Sequence, residues 1–490
     1  MIRDFDLVIR HGTLVTAGDT FAADLGIRAG RVAALGRGLV GREIVEAEGL
    51  YVLPGAIDPH VHLQMDAFTA AGPTVTSDDW ATGTRAAACG GTTTVIDFVE
   101  PAPAESLAQA LAARRAQAEG RAAVDFGLHM TLSRADDATL AEVPAVCRAG
   151  VTSFKTYTTY AGFKLADDEL LRAFQAVGRA GGLALTHAEN DALLAAAARD
   201  LLEQGRRSPA EFARSRPAAA EAEALERALA LAEAAGVPFY AVHISTARGA
   251  AALQRARSRG QAAYGETCAQ YLWLTEAEYA RPGFEAARFV CAPPLRTAAD
   301  GAALWRALAA GDLQSVGSDH CAFNARGQKD LAFAGAGRPL PAFNEIPGGL
   351  PGVEARLALI HAAVAKGQIS LNRWVEVCCT GPARLFGLYP RKGSLEPGAD
   401  ADLVLFDPRK RVTLQKSALH ENVDYTPYDG LVLTGWPVAT LLRGRMAVRE
   451  GQWVGGPPDG QFLRRNPHRG TFTVDLQAPF GRSAGNAEPI

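Results

Sequence analysis

From Tyr51 to His320, short apolar runs alternate with helical stretches rich in Ala, Leu, Glu and Arg, and this alternation leaves the chain very few architectures. Eight runs read as strands: 51–58, 92–99, 125–132, 153–158, 183–188, 239–245, 262–268 and 314–319. They recur about every 34 residues, the length of one strand plus one helix in a (β/α)8 barrel of roughly 250 residues. A doubly wound open sheet is the alternative. It lacks the Gly-x-Gly-x-x-Gly that would follow its first strand.

The two ends of the chain carry a different pattern. Residues 1–52 hold short alternating runs at 6–10, 13–16, 25–28 and 31–35, separated by turn residues, as in a small antiparallel sheet. Past the eighth strand, helical stretches cover 353–366 and 370–386, and strand signals return at 401–406, 431–433 and 440–443. The expected class is α/β: a (β/α)8 TIM barrel over 53–390, with a smaller β-sandwich domain assembled from 1–52 and 391–455. Residues 456–490, rich in Gly, Pro, Arg and Asn, read as an extended tail that reaches a neighbouring subunit.

Composition removes several classes of function. Fifty Lys+Arg against 53 Asp+Glu give a net charge of −3, so nothing electrostatic points to nucleic acid or an anionic membrane. With 48% hydrophobic and 21% charged residues, a 490-residue chain has ample material for a core. The seven cysteines are odd in number and lack Cys-x-x-Cys spacing, which argues against a disulfide framework and against a thiolate zinc site. The start, Met1-Ile-Arg-Asp-Phe-Asp6, has neither the basic nor the apolar segment of a secretion signal. No apolar run nears the roughly 18–20 residues needed to span a bilayer. The expectation is a soluble, cytoplasmic protein in a reducing compartment.

Four of the ten histidines stand at the C-terminal ends of expected barrel strands: His60 and His62 in Ala56-Ile-Asp-Pro-His-Val-His62, His187 in Leu183-Ala-Leu-Thr-His187, and His243 in Phe239-Tyr-Ala-Val-His243. Asp319 ends the eighth strand. The C-terminal rim of a barrel is where catalytic side chains gather. Strand side chains alternate, so His60 and His62 face the same way, about 6–7 Å apart, and can share one divalent cation. One such histidine alone is more often a hydrogen-bonded core residue. Five candidate ligands, each at a strand end, describe a metal pocket. His129 and His320 lie close enough to the rim to orient ligands; His11, His361, His420 and His468 read as ordinary residues.

Lysine is scarce, seven against 43 arginines. Lys155, in Thr152-Ser-Phe-Lys-Thr-Tyr157, falls on an inner strand where an unpaired ammonium is costly. Either a carboxylate pairs with it, or its neutral amine takes up carbon dioxide as a carbamate whose two oxygens can bridge two cations.

Six segments together carry a family resemblance: Gly55-Ala-Ile-Asp-Pro-His-Val-His62, Ser153-Phe-Lys-Thr-Tyr157, His187-Ala-Glu-Asn190, Tyr264-Gly-Glu-Thr-Cys268, Ser315-Val-Gly-Ser-Asp-His-Cys321 and Gly398-Ala-Asp-Ala-Asp-Leu403. From about residue 5 to 465 the chain resembles the cyclic amidohydrolases, most closely the dihydropyrimidinase/D-hydantoinase group. The resemblance implies two divalent ions, usually Zn2+, bridged by a carboxylated lysine and a hydroxide. It places His60, His62 and Asp319 on the more buried ion, His187 and His243 on the other, and Lys155 between them. It also implies that Asp319 handles the proton while Tyr160 stabilises the oxyanion, and that the enzyme is a homo-oligomer, a tetramer or dimer.

The same resemblance narrows the substrate to a small cyclic amide. Gln64 stands where dihydroorotase-like chains carry a carboxylate-binding arginine, and Tyr160 separates the chain from allantoinase-like relatives. Other cyclic-imide hydrolases, and a non-catalytic scaffold that keeps only the fold, are the alternatives. Ala292 and Gly348 replace a common serine and asparagine, at positions that hold the ring mainly through backbone atoms. Met65, Phe68, Val99 to Pro103, Tyr157 and Phe163 are the expected rim for an exocyclic substituent.

Overall fold

The computed structural model describes residues 5–69, 72–329 and 340–468. Its central strands are buried along their whole length, as in Thr92–Val99 and Asp125–Thr131. Such near-continuous burial suits parallel strands covered by helices. Ala56–Val61, Thr92–Val99, Asp125–Thr131, Ser153–Tyr157, Leu183–His187, Phe239–Ala241, Ala263–Cys268 and Ser315–Gly317 pair in parallel, in chain order. A bridge between Val61 and His320 closes the ring, reinforced by the His62 amide donating to the His320 carbonyl at 2.8 Å. The expected TIM barrel is present. Helices on its outside open on capping side chains, among them Asp79, Ser106, Asp136, Asn190, Thr246 and Thr297.

Several expected boundaries are corrected. The run 51–58 is two strands: Tyr51–Pro54 belongs to the small domain and Ala56–Val61 to the barrel. Gly55 is the joint, because a Cβ there would lie 2.1 Å from Thr93 Oγ1. The sixth and eighth strands stop at Ala241 and Gly317, short of 245 and 319. His243 and Asp319 instead take left-handed backbone, with φ of 38° and 51°. The stretch 370–386 is broken into Leu371–Val375 and Gly381–Leu385 by a π-helical turn at Glu376–Thr380. A hairpin, Asp66–Thr69 with Gly72–Val75, was not expected at all.

The chain ends meet in one small β-domain, hydrogen-bonded as a single mixed sheet of nine strands. Phe5–Val15 is its axis. Its first half pairs in parallel with Gly41–Glu46 and its second half with Tyr51–Pro54, the change coming at a bulge between Ile9 and Gly12. Tyr51–Pro54 then pairs antiparallel with the start of Leu403–Thr413. The separate signals at 431–433 and 440–443 are parts of one strand, Val432–Leu442. Leu14, Leu25, Ile27, Val52, Leu403 and Leu441 form the domain's own core. Lys392 joins it to the barrel, reaching Asp125 and Asp402 at 2.6 Å each and Asp400 at 3.0 Å.

The described part of the tail does not leave its own chain. It crosses the N-terminal end of the barrel, where the Phe126, Asn466 and His468 amides pair with the carbonyls of Gln461, Gly387 and Gly181. Leu463 is fully buried with Ile57, Ile96, Tyr240 and Phe386. Residues 469–490 lie outside the described residues. Among the described residues, no helix is long and apolar enough to cross a membrane.

Candidate metal centre

Barrel closure carries the separate candidate ligands to one end of the sheet. His60 sits near the end of the first strand and His62 just past it, Lys155 in the fourth, His187 at the end of the fifth. His243 and Asp319 lie two residues beyond the sixth and eighth, where the left-handed turns aim them inward. Lys155 and His60 are each only 1% exposed.

The first cluster is His60, His62 and Asp319. Oδ1 of Asp319 lies 3.2 Å from Nε2 of His60 and 3.4 Å from Nε2 of His62. Glu266 Oε1 holds Nδ1 of His60 at 2.5 Å, so the ring proton sits on Nδ1 and the Nε2 lone pair faces the carboxylate. Burial keeps His60 well below its ordinary pKa, and its Nε2 has no hydrogen-bond partner. Burial pushes the Asp319 carboxyl up, but His60, His62 and Lys155 outweigh it and hold the group below the usual carboxylate range. The His60 lone pair thus faces an anion. A cation between them resolves the arrangement.

The second cluster repeats this logic. His187 donates from Nε2 to Glu189 Oε2 at 2.8 Å, which leaves Nδ1 turned to Nε2 of His243 at 2.9 Å. Burial lowers both imidazoles. Burial also works against the Glu189 charge, but Arg216 and His187 pull its pKa down to about 2. A neutral His187 whose proton is fixed on Nε2 by Glu189 offers Nδ1 in the form a divalent ion such as zinc requires.

Lys155 lies beside both clusters with Nζ 5.1 Å from the ring centres of Phe98 and Tyr157. Among the described residues it forms no ion pair. Burial lowers its pKa to about 8 against the upward pull of Asp319, Glu266 and Glu100. Of the two sequence readings, paired ammonium or carbamate, the geometry leaves the first without its carboxylate.

Tyr160, Ala292 and Gly348 line one cleft of about 450 Å3, with Leu194, Phe212 and Ile346 supplying apolar walls. Tyr160 packs 5.0 Å from the His187 ring, and its Oη accepts from Arg216 Nη2 at 2.9 Å. Tyr157 and Phe163 are in ring contact beside it. The expected rim is divided, however: Met65, Val99, Glu100 and Ala102 line a second cleft of about 230 Å3 that ends on His62. Phe68 falls in the hairpin, and its side chain lies outside the described residues. His129 and His320 do buttress the rim. His129 donates from Nε2 to the Pro59 carbonyl at 2.9 Å, and His320 Nε2 meets Asp78 at 3.1 Å.

Residues 51–447 match the model of the amidohydrolase family. The chain belongs to that family. It is 43% identical over 466 residues to a D-hydantoinase of Streptomyces coelicolor, covering 94% of this chain and 97% of the relative. A D-hydantoinase of Rhizobium radiobacter is 42% identical over 95% of this chain and all of its own. Among solved structures, the dihydropyrimidinase from Brevibacillus agri superposes with a TM-score of 0.91 at 40% identity, over 95% of this chain and 99% of that one. As a member of the family, this amidohydrolase is a metal-dependent hydrolase, and the clustered imidazoles fit that requirement.

Glu266, Glu189 and Arg216 were not singled out from the sequence. The first two stand in the quoted motifs, and a carboxylate on an inward strand position is itself a signal. Arg216 gives none, being one arginine among 43.

Proposed function

We propose that this amidohydrolase opens cyclic amides, such as 5-substituted hydantoins and dihydropyrimidines, to N-carbamoyl amino acids. The observation that carries this reading is the unprotonated His60 Nε2 facing Asp319, beside an unpaired buried lysine. Two divalent ions, with Zn2+ the best match to imidazole and carboxylate, would be held by His60, His62 and Asp319 and by His187 and His243. Lys155, carboxylated by carbon dioxide, would bridge them. Bound there, the ions supply Lewis-acid activation of water and of the amide carbonyl.

The protein groups do the rest. Asp319 takes the proton of the attacking water and returns it to the leaving ring nitrogen. Tyr160 stays protonated because burial raises its phenol. Since Oη accepts from Arg216, the phenolic hydrogen is free to donate to the developing oxyanion. The backbone at Ala292 and Gly348 holds the ring edge, while Tyr157 and Phe163 meet the exocyclic group and Met65 lines the neighbouring cleft. The resemblance of the whole chain supports a cytoplasmic homo-oligomer, dimer or tetramer. Sedimentation of a stable monomer would refute the assembly.

Ultraviolet assays on dihydrouracil, hydantoin, 5-substituted hydantoins, allantoin and simple imides test the substrate class. Turnover of the first three groups is expected, and inertness toward all of them would sink the proposal. Lys155→Ala should hold well under two ions per chain and lose turnover. Full metal content with normal turnover would remove the bridge.

A further inference from the structure

Among the described residues, one other trio of metal-ligating side chains has its donor atoms within 4.8 Å of one another: Cys89, Glu354 and His420. They arrive from three directions. Cys89 ends the helix Trp80–Cys89, Glu354 precedes the helix Arg356–Ala365, and His420 lies between the strands Leu403–Thr413 and Val432–Leu442. The approach is built into the fold at Gly90, where a Cβ would come within 2.2 Å of the Glu354 carbonyl oxygen. Only glycine lets the end of that helix lie against the Glu354 backbone.

The chemistry of the trio is specific. Glu354 grips His420 twice, accepting from its backbone amide at 2.6 Å and holding Nδ1 at 2.8 Å. The carboxylate is 2% exposed, whereas the His420 side chain is 35% exposed. The Cys89 thiol is buried, bonded to the His420 side chain, with the Gly451 carbonyl at 3.9 Å as a further weak contact. Thiol, imidazole and carboxylate are the ligand types of a zinc site, and this mixture disfavours magnesium and calcium. The open side of His420 gives an ion a way in and leaves room for a water as fourth ligand. Zinc ligands stand roughly 3–4 Å apart in a tetrahedral site. An exposed imidazole can close the remaining gap by rotation.

We propose that Cys89, Glu354 and His420 form a separate site for a thiophilic divalent cation, zinc being the natural candidate, which pins the 414–431 segment to the barrel. Binding releases the thiol proton, and any proton on the imidazole, to solvent. The site is independent of catalysis; only its rank as third per chain rests on the binuclear reading above.

Cobalt(II) is the probe, added to the full-length protein after metal removal. The six ligands assigned to the catalytic centre offer nitrogen and oxygen alone, so a thiolate-to-cobalt charge-transfer band in the near ultraviolet reports a cysteine ligand. The wild type should show this band, and Cys89→Ser should lose it while retaining ring-opening activity. His420→Ala, altered at a part-exposed position, should need about tenfold more cobalt or more for the same band. This variant keeps the test alive if Cys89→Ser fails to fold. Absence of the band in wild-type protein saturated with cobalt, or equal intensity in Cys89→Ser, overturns the proposal. Neither result bears on whether the enzyme opens cyclic amides.

Discussion

Replacing Glu266 by Gln asks how far the centre depends on the position of one proton. Burial raises the Glu266 carboxyl to about 8, and in its ionised form it can only accept, which fixes the His60 proton on Nδ1. A glutamine amide can donate to Nδ1, moving the proton to Nε2 and blocking the lone pair that faces Asp319. Metal affinity should fall about 10–100-fold in chelator competition, without loss of fold. Lys155 gives a pH dependence with a defined sign. Carbon dioxide adds only to the neutral amine. With a pKa of about 8, roughly a tenth of the amine is neutral at pH 7, against a few in ten thousand for an ordinary lysine. At fixed dissolved carbon dioxide, carbamate formation by metal-free protein should therefore accelerate from pH 6 to about 8 and then level off. A rate that keeps rising tenfold per unit past pH 9 contradicts the burial argument. Such ligands were legible because each falls on or just past an expected barrel strand. Arg216 was not, since its partners Glu189 and Tyr160 lie 27 and 56 positions away and only folding reveals them. Cys89, Glu354 and His420 escaped notice for the same reason: Cys-x-x-Cys spacing finds ligands only when neighbours in sequence bind together.

At the level of strands and helices, periodicity located all eight barrel strands, yet it misjudged their ends wherever function or packing overrode local preference. The run 51–58 reads as one apolar stretch, although Pro54-Gly55 inside it is a local break signal. Its division depends on Gly55 meeting Thr93, a contact 38 residues away that no local pattern records. The sixth and eighth strands end early because His243 and Asp319 adopt a backbone that alanine or valine would resist. The junction between the two domains can be tested at Lys392. Lys392→Ala would leave Asp125, Asp400 and Asp402 buried together without their shared cation. A loss of about 3–5 kcal/mol is expected, read as a lower denaturant midpoint. An unchanged midpoint would mean that Arg443, paired with Asp125, and Arg391, paired with Asp400, already suffice.

Across the whole molecule, the tail read from composition as an extended segment reaching a neighbouring subunit serves, as far as His468, as the floor of its own barrel. Leu463→Ala removes its main apolar anchor and should cost about 2–5 kcal/mol in denaturant unfolding. Metal content should stay unchanged, because the centre lies at the opposite end of the strands. A stability equal to wild type would show that the floor is dispensable. The sheet that joins the first and last segments has a consequence for how the chain is made. Tyr51–Pro54 leaves the ribosome with one edge bare, and its partner in Leu403–Thr413 follows only after about 350 more residues, roughly 20–70 s at about 5–20 residues per second. Throughout that interval the nascent amino-terminal sheet offers a sticky border to other polypeptides, so yield from rapid overexpression should depend on chaperone supply more than on the stability of the finished enzyme.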